Sequence, residues 1–207
     1  MIIGIIDYGI NNISSVAKAL MKLNIQYEIL TTAESIAQFQ HLILPGVGSF
    51  EEGVNNLNKK DIKNAICQQV QKGSFLLGIC LGMQLLFDSS EECKDKSLLG
   101  LGLIPGRCHL LPTFPESNIR IPHIGWNEVK ISSSSLIYNE VPDETNFYFV
   151  HSFHAIPQDS GNISGVARHG IDFVASVLHG NIFGTQFHPE KSGVHGMNIL
   201  AKFASLR

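Results

Sequence analysis

The sequence predicts an α/β domain with a mostly parallel sheet, because short apolar runs alternate with amphipathic stretches along the chain. The chain has 207 residues, of which 44% are hydrophobic and 16% are charged. This composition is typical of a packed globular protein, and the length suits one sizeable core. No internal repeat and no linker rich in Pro, Gly or Ser divides the sequence. We therefore expect a single domain over residues 1–207.

The first half of the chain contains the most regular pattern. Three apolar runs predict buried strands: Met1–Ile6, His41–Leu44 and Ser74–Ile79. The stretches that predict helices are Ser14–Leu23, Asp61–Gln71, which Gly73 closes, and Leu81–Phe87. The second strand ends at Pro45-Gly46-Val47-Gly48, which predicts a turn. Because the third strand runs directly into a helix, Cys80 is predicted to lie on a strand-to-helix turn.

The second half is less regular and predicts a mixed or antiparallel part of the sheet. Its candidate strands are Gly100–Pro105, Glu128–Ile131, Phe147–Val150, Phe173–Leu178 and Ile182–Phe187. The stretch Gly196–Leu206 predicts a closing helix, and Ser132–Ser135 predicts a surface loop.

Charge and cysteine content exclude several classes of function. The net charge is −3 with no basic patch, which argues against a nucleic-acid partner. The N-terminal apolar run is interrupted at Asp7, too early for a secretion signal or a membrane span, so we expect a cytoplasmic protein. The four cysteines contain no C-x-x-C pair, so neither a disulfide framework nor a zinc site is indicated.

The segment Gly78-Ile79-Cys80-Leu81-Gly82 has the form of a nucleophile elbow, in which a sharp turn raises the nucleophile above the sheet. At the start of a helix, the dipole favours a thiolate on Cys80, and the amide of Leu81 can face a developing oxyanion. The alternative is a buried, inert cysteine at a glycine-rich strand end.

A second motif, Gly184-Thr185-Gln186-Phe187-His188-Pro189-Glu190, supplies the partners that a nucleophile needs. His188 can take the thiol proton and return it to a leaving amine, while Glu190 orients and stabilises the imidazolium. A single histidine is more often structural, but Pro189 restricts the backbone so that both side chains can point to one place.

These motifs resemble those of class I glutamine amidotransferases, and most closely those of the glutaminase subunits of imidazole glycerol phosphate synthases. The resemblance spans nearly the whole chain and also covers Asp7-Tyr8-Gly9, Pro45 to Phe50, Gly78 to Gln84, Ser90-Glu91-Glu92, Ile121 to Asn127 and Phe149 to Ser152. It implies a flavodoxin-like fold and a triad of Cys80, His188 and Glu190. Such a glutaminase needs no metal or organic cofactor.

The resemblance also implies roles for residues around the triad. Amides of Val47 and Leu81 are expected to form the oxyanion hole, and the glycines beside Val47 allow its peptide to flip. The residues expected to bind glutamine are Gly48, Gln84, Glu92 and Ser152. Without the resemblance, the sequence favours a solvated helix face for Gln84 and a solvated loop for Glu92.

The partner implied by the resemblance is a separate (β/α)8-barrel cyclase, which forms a heterodimer with the glutaminase and receives its ammonia through a shielded path. The positions expected at that interface are Asn12, Pro122, His123, Trp126, Tyr148 and Lys191. Composition alone favours the core for Trp126, whereas its Gly-Trp-Asn setting favours the interface.

Three other functions stay open on the sequence alone. The first alternative follows from a departure from the family pattern. The family usually has Gly-x-Gly-Asn after Asp-Tyr, whereas this chain has Gly9-Ile10-Asn11-Asn12. A paralogous glutaminase that serves a related barrel synthase, for sugar amidination in surface-polysaccharide synthesis, is therefore the alternative to histidine biosynthesis. A cysteine hydrolase of related fold and a catalytically silent flavodoxin-like binding module are the other two.

Overall fold

The computed structural model describes residues 2–10, 12–113, 119–132 and 136–207. In chain order the strands are β1 (Ile2–Ile6), β2 (Gln26–Leu30), β3 (His41–Gly46), β4 (Phe75–Cys80), β5 (Ser89–Ser90), β6 (Gly106–Leu110), β7 (His123–Ile131), β8 (Thr145–His151), β9 (Phe153–Pro157), β10 (Ile163–His169), β11 (Ile171–His179) and β12 (Ile182–Thr185). The α-helices are α1 (Ile13–Lys22), α2 (Ala33–Ile36), α3 (Phe50–Asn58), α4 (Ile62–Gln71), α5 (Leu81–Gln84) and α6 (Gly193–Ala204).

A nine-stranded sheet organises the molecule, in the order β2-β1-β3-β4-β12-β11-β10-β7-β8. In this sheet order the first five strands, β2-β1-β3-β4-β12, are parallel to one another. Their order matches the flavodoxin-like 2-1-3-4-5 arrangement. From β12 to β8 every neighbouring pair is antiparallel. A smaller sheet, β5-β6-β9, lies beside it. The prediction of a parallel first half and a more mixed second half is confirmed.

Helices cover both faces of the parallel strands, which explains why these strands read as continuous apolar runs. All six residues of β3 are buried; Leu42 and Leu44 pack on one face, whereas Ile43 packs on the other. The first face is covered by α3 and α4, and the opposite face by α1 and α6. No helix among the described ranges is long and apolar enough to cross a bilayer.

Two predicted elements are wrong. The helix predicted over Leu81–Phe87 ends at Gln84, and the strand predicted over Gly100–Pro105 does not form. Both errors have one cause, because the carbonyl groups of residues 85–87 accept hydrogen bonds from the amides of residues 101–104. These carbonyls therefore leave the helix to bind an irregular segment.

The remaining predicted elements are present with shifted ends. For example, β7 begins at His123 rather than Glu128, α6 begins at Gly193 rather than Gly196, and α4 begins after Asp61. The predictions that concern Met1, Asn11 and residues 133–135 lie outside the described residues. Strands β2, β5, β6, β9 and β10 and helices α2 and α3 were not predicted, since they are short or are interrupted by glycine and polar residues.

Candidate active site

Cys80 lies on the strand-to-helix turn that the sequence predicts, at the carboxyl end of β4. Its backbone has φ 55° and ψ −110°, a conformation that residues other than glycine rarely adopt. The turn is possible only because two glycines flank it. A Cβ on Gly82 would lie 1.8 Å from the carbonyl oxygen of Leu44, and one on Gly78 would lie 2.6 Å from that of Gly82. The elbow interpretation of the motif therefore agrees with the structure.

The helix that follows Cys80 is a single turn, which corrects part of the electrostatic argument. Helix α5 ends at Gln84, so few aligned peptide dipoles stand behind the thiol. The local amides matter more than a macrodipole. Leu81 lines the pocket beside Cys80, where its amide is the predicted oxyanion donor.

His188 and Glu190 form a buried pair with no side-chain exposure. The Nδ1 atom of His188 lies 2.7 Å from Oε1 of Glu190. Strand β12 ends at Thr185, and Pro189 opens a short 3-10 turn (Pro189–Lys191) that brings the carboxylate back towards the imidazole. Because Nδ1 is engaged by Glu190, Nε2 is left for the nucleophile.

The buried pair has perturbed protonation equilibria. Burial opposes a charged imidazole, but hydrogen bonding and the charges of Cys80 and Glu190 outweigh it and raise the pKa of His188 to about 9. Burial also opposes the Glu190 carboxylate, but its hydrogen bond and attraction to His188 hold the pKa of Glu190 below its usual range. The two groups thus stabilise each other as an ion pair at neutral pH.

The Nε2 atom of His188 has no hydrogen-bond partner among the described residues. It lies close enough to Cys80 to raise the pKa of the imidazole, although the contact does not meet hydrogen-bond geometry. Catalytic contacts are often loose before substrate binds. The Cys80 sulfur also lies 3.8 Å from the carbonyl oxygen of Val150 and 3.8 Å from Nε2 of Gln186.

Two residues form hydrogen bonds with His188 and Glu190 that the sequence did not indicate. Asn12 donates from Nδ2 to Oε1 of Glu190 at 2.8 Å. Ser192 donates from Oγ to the carbonyl oxygen of His188 at 2.6 Å and accepts from the amide of Tyr148 at 3.0 Å. The contact of Asn12 with a partner protein stays a prediction; within this chain its side chain holds the Glu190 carboxylate.

A pocket of about 300 Å³ opens in front of Cys80. The sequence-predicted oxyanion and substrate residues all line it: Val47, Gly48, Leu81, Gln84, Glu92 and Ser152. Pro122, Val150, His151 and Phe153 complete the wall. The structure therefore brings together residues from β3, β4, α5 and the β8 to β9 connection. That the amides of both Val47 and Leu81 face the oxyanion stays a prediction.

Gln84 and Glu92 are both held in place by the protein. Gln84 is buried, and its Nε2 donates to the carbonyl oxygen of Phe153 at 2.9 Å and to Oε1 of Gln186 at 3.1 Å. Both amide hydrogens are used, which leaves Oε1 of Gln84 as an acceptor. Glu92 accepts the Phe50 amide on Oε2 at 2.7 Å, and burial raises its pKa despite this bond. Its second oxygen is available to a ligand.

Three of the predicted interface residues contact one another, and a fourth lies at the pocket. Trp126 is 57% exposed, its ring lies edge-on to that of Tyr148 at 6.0 Å, and Nζ of Lys191 lies 5.9 Å from the Tyr148 ring. Pro122 lines the pocket itself. His123 differs, because it is only 4% exposed. Its side chain is directed into the protein, so the structure does not present it as a docking contact.

Gln186 is a site residue to which the sequence analysis assigned no role. It is fully buried and links Gln84 to the Cys80 sulfur. The only available signal was its place in the segment that precedes His188, where a polar side chain follows a buried strand.

The family model for glutamine amidotransferase class-I matches residues 4–205. The imidazole glycerol phosphate synthase subunit HisH of Moorella thermoacetica is 41% identical over 204 residues, which cover 99% of this chain and 94% of that protein. The HisH subunit of Geobacillus thermodenitrificans is 43% identical over 206 residues, with 99% and 95% covered.

A longer relative is the chloroplastic imidazole glycerol phosphate synthase hisHF of Arabidopsis thaliana. It is 40% identical over 205 residues, which cover 98% of this chain and 34% of that protein. Among solved structures, PurLQS from Thermotoga maritima superimposes with a TM-score of 0.75 at 18% identity and covers 98% of this chain and 96% of that chain. A glutamine amidotransferase crystal structure has a TM-score of 0.71 at 18% identity, with 99% of both chains covered. These structures agree with the fold. On its family-model match and its relatives, the chain belongs to the class I glutamine amidotransferase family.

Proposed function

We propose that this chain is the glutaminase subunit of an imidazole glycerol phosphate synthase, which hydrolyses glutamine and passes ammonia to a cyclase in histidine biosynthesis. The observation that carries the proposal is the buried pair of His188 and Glu190, directed at Cys80 on the wall of a glutamine-sized pocket. The full-length similarity to HisH subunits supports the pathway.

The reaction begins from the state in which His188 already holds the Cys80 proton, and the Cys80 thiolate attacks the side-chain carbonyl carbon of glutamine. With a pKa of about 9, His188 keeps this proton until the leaving nitrogen accepts it. Collapse of the tetrahedral intermediate breaks the carbon–nitrogen bond, releases ammonia and leaves a γ-glutamyl thioester on Cys80. Water then gives a proton to His188, attacks the thioester and releases glutamate and the Cys80 thiolate, which restores the starting ion pair with His188.

The pocket residues have complementary tasks in this proposal. Amides of Val47 and Leu81 stabilise the oxyanion of both tetrahedral intermediates. The carboxylate of Glu92 suits the α-ammonium group of glutamine, and Gln84 Oε1 accepts a further N–H of the substrate. Gly48 and Ser152 contact the same α-carbon groups. Each of these residues already lines the pocket.

The partner is a separate cyclase of (β/α)8-barrel type that forms a heterodimer with this chain. Free ammonia is protonated in water, so a glutaminase is useful only when the product enters a shielded path. The exposed Trp126, with Tyr148 and Lys191, offers a docking surface, and Pro122 lines the pocket. The Arabidopsis hisHF protein supports this arrangement, since this chain matches only 34% of it. We expect the complex in the cytoplasm.

The other functions considered from the sequence receive less support. A silent binding module does not need an ion pair of His188 and Glu190 that is buried beside a strained cysteine. A peptidase needs an extended groove, whereas the cavity at Cys80 is about 300 Å³. A glutaminase that serves a related synthase for sugar amidination shares the whole site, so only its partner separates it from the proposed one.

Complementation of a histidine auxotroph that lacks this subunit tests the proposal. We expect growth with the wild-type chain and none with Cys80→Ala, together with faster glutamate release when purified cyclase and its ribotide substrate are added. A chain that is active on glutamine but neither complements nor binds the cyclase would support the sugar-amidination alternative. A chain that releases no glutamate with or without the cyclase would overturn the glutaminase assignment.

A further inference from the structure

Two buried histidines form a hydrogen-bonded chain next to the pocket. The Nδ1 atom of His123 lies 3.0 Å from Nε2 of His151, and Nδ1 of His151 lies 2.9 Å from the carbonyl oxygen of Phe153. His151 lines the pocket, while His123 begins strand β7. Neither ring is needed for the proposed chemistry of Cys80, so the hydrogen bonds of the two histidines require a separate explanation.

The partners determine the tautomer of each ring. A carbonyl oxygen only accepts, so Nδ1 of His151 carries a proton and its Nε2 is an acceptor when the ring is neutral. That acceptor requires a proton on Nδ1 of His123. Nε2 of His123 in turn faces Nδ2 of Asn127 at 3.4 Å, a donor that also binds the Arg168 carbonyl oxygen at 2.8 Å. From Asn127 through the two rings, the hydrogen bonds therefore point in one direction, towards Phe153.

The surroundings keep both rings neutral. Burial lowers the pKa of His151 to about 3 and that of His123 to about 4, and the neighbouring His169 also opposes a charge. His169 stacks on His123 at 4.1 Å and has Nε2 engaged at 2.9 Å by the carbonyl oxygen of Arg120. Phe149 and Phe173 pack on the pair as well. Because both rings stay neutral, the hydrogen bonds through them keep the same direction across the physiological pH range.

This series of hydrogen bonds ends at the carbonyl oxygen of Phe153, an atom that also orients Gln84 in the pocket. The Phe153 carbonyl oxygen also accepts Nε2 of Gln84 at 2.9 Å, and Gln84 binds Gln186, which reaches the Cys80 sulfur. Phe153 opens β9 directly after Ser152, at the point where the chain passes from the nine-stranded sheet to the smaller sheet. The position of this carbonyl therefore determines where Gln84 presents its oxygen.

We propose that His151 and His123 are positioning residues for the glutamine pocket, which hold the Phe153 carbonyl and so direct Oε1 of Gln84 towards the substrate. This rests on the proposed glutaminase function of the pocket. It also gives His123 a role inside the protein in place of the docking contact expected from the sequence. Because the pair holds a binding residue and does not touch the reacting atoms, its loss should change KM for glutamine more than kcat.

Two matched substitutions at His151 separate its two hydrogen bonds. His151→Asn keeps a donor where Nδ1 stands, and so keeps the bond to Phe153. His151→Gln places its amide where Nε2 stands and loses that bond. We expect His151→Gln to raise KM for glutamine about 3- to 10-fold, the effect of one hydrogen bond, with kcat changed less than about 2-fold. His151→Asn should recover most of this loss.

His179→Gln is the control for replacing a histidine by glutamine. It is exposed and pairs with Ile182 at the opposite end of β12 from the catalytic motif, so its kinetics should match the wild type. Equal KM values for His151→Gln and His151→Asn would overturn the proposal, as would a loss confined to kcat. Wild-type protein without glutaminase activity would instead refute the proposed function.

Imidazole ¹H–¹⁵N NMR of the wild-type chain tests the same proposal without any assay of activity. We expect both His151 and His123 at pH 7 as neutral rings protonated at Nδ1, the less common tautomer in solution. His123→Phe should remove the imidazole signal of His123 and shift the Nε2 resonance of His151. Rings protonated at Nε2, or a charged imidazolium, would overturn the proposal even if the enzyme is active.

Discussion

Gly82→Ala should disable the enzyme by displacing the elbow. The added Cβ would lie 1.8 Å from the carbonyl oxygen of Leu44 and 2.8 Å from its carbonyl carbon. Carbon–oxygen contacts are ordinarily no shorter than about 3.3 Å, so an overlap of about 1.5 Å must be relieved. Leu44 lies in β3, which is held between β1 and β4, so α5 must move instead.

That movement affects both stability and catalysis. Overpacking against backbone costs about 3 kcal/mol or more, and a displacement of about 1 Å at a reacting group can cost about 100-fold in rate. Urea unfolding followed by circular dichroism, together with glutamate release, measures the two effects. Gly180→Ala is the control, because a Cβ there meets nothing within 4 Å and only the φ of 58° costs about 1 kcal/mol. A Gly82→Ala protein within about 1 kcal/mol of the wild type and with normal kcat/KM would refute this reasoning.

Two further predictions concern the ion pair and the docking surface. Because the folded pKa of His188 is raised to about 9, its stabilising contribution is complete below its unfolded value near 6.5 and is lost as pH rises towards 9. Because Cys80 also raises the pKa of His188, Glu190→Gln should reduce this loss of stability between pH 6.5 and 9 without abolishing it, and should lower kcat about 100-fold or more. An unchanged pH profile of unfolding would contradict the pairing. Trp126→Ala should leave glutamine hydrolysis by the free chain within about 2-fold of the wild type and weaken cyclase binding about 10-fold or more, measured by calorimetry. Unchanged affinity would place the docking surface elsewhere.

The parallel half of the fold was predictable because strands covered on both faces must be apolar throughout. Strand β3 and strand β4 are such runs, and their ends identify the site. The antiparallel half offers weaker signals. Strand β10 contains Gly165 and Arg168, strand β6 contains Arg107 and His109, and the edge strand β2 is mostly exposed. Helix α3 carries Gly53 and three asparagines, so packing and its Ser49 cap, rather than intrinsic propensity, explain it.

The proposed triad could be inferred from the sequence because its chemistry lies in two short motifs. The supporting contacts could not be, since they join distant positions. Asn12 reaches Glu190 across most of the chain, and Gln84 meets Gln186 only after β4 and β12 pair. The burial of His123 likewise follows from rings on β8, β10 and β11, which no local pattern indicates.

Trapping of the covalent intermediate tests the central claim most directly. The chain is mixed with glutamine in the presence of its cyclase, quenched in acid within a turnover, digested, and analysed by mass spectrometry. The account predicts one γ-glutamyl thioester on the peptide that contains Cys80, and neither adduct nor glutamate from Cys80→Ala. Glutamate release by Cys80→Ala above background, or an adduct on Cys67, Cys93 or Cys108 alone, would contradict it.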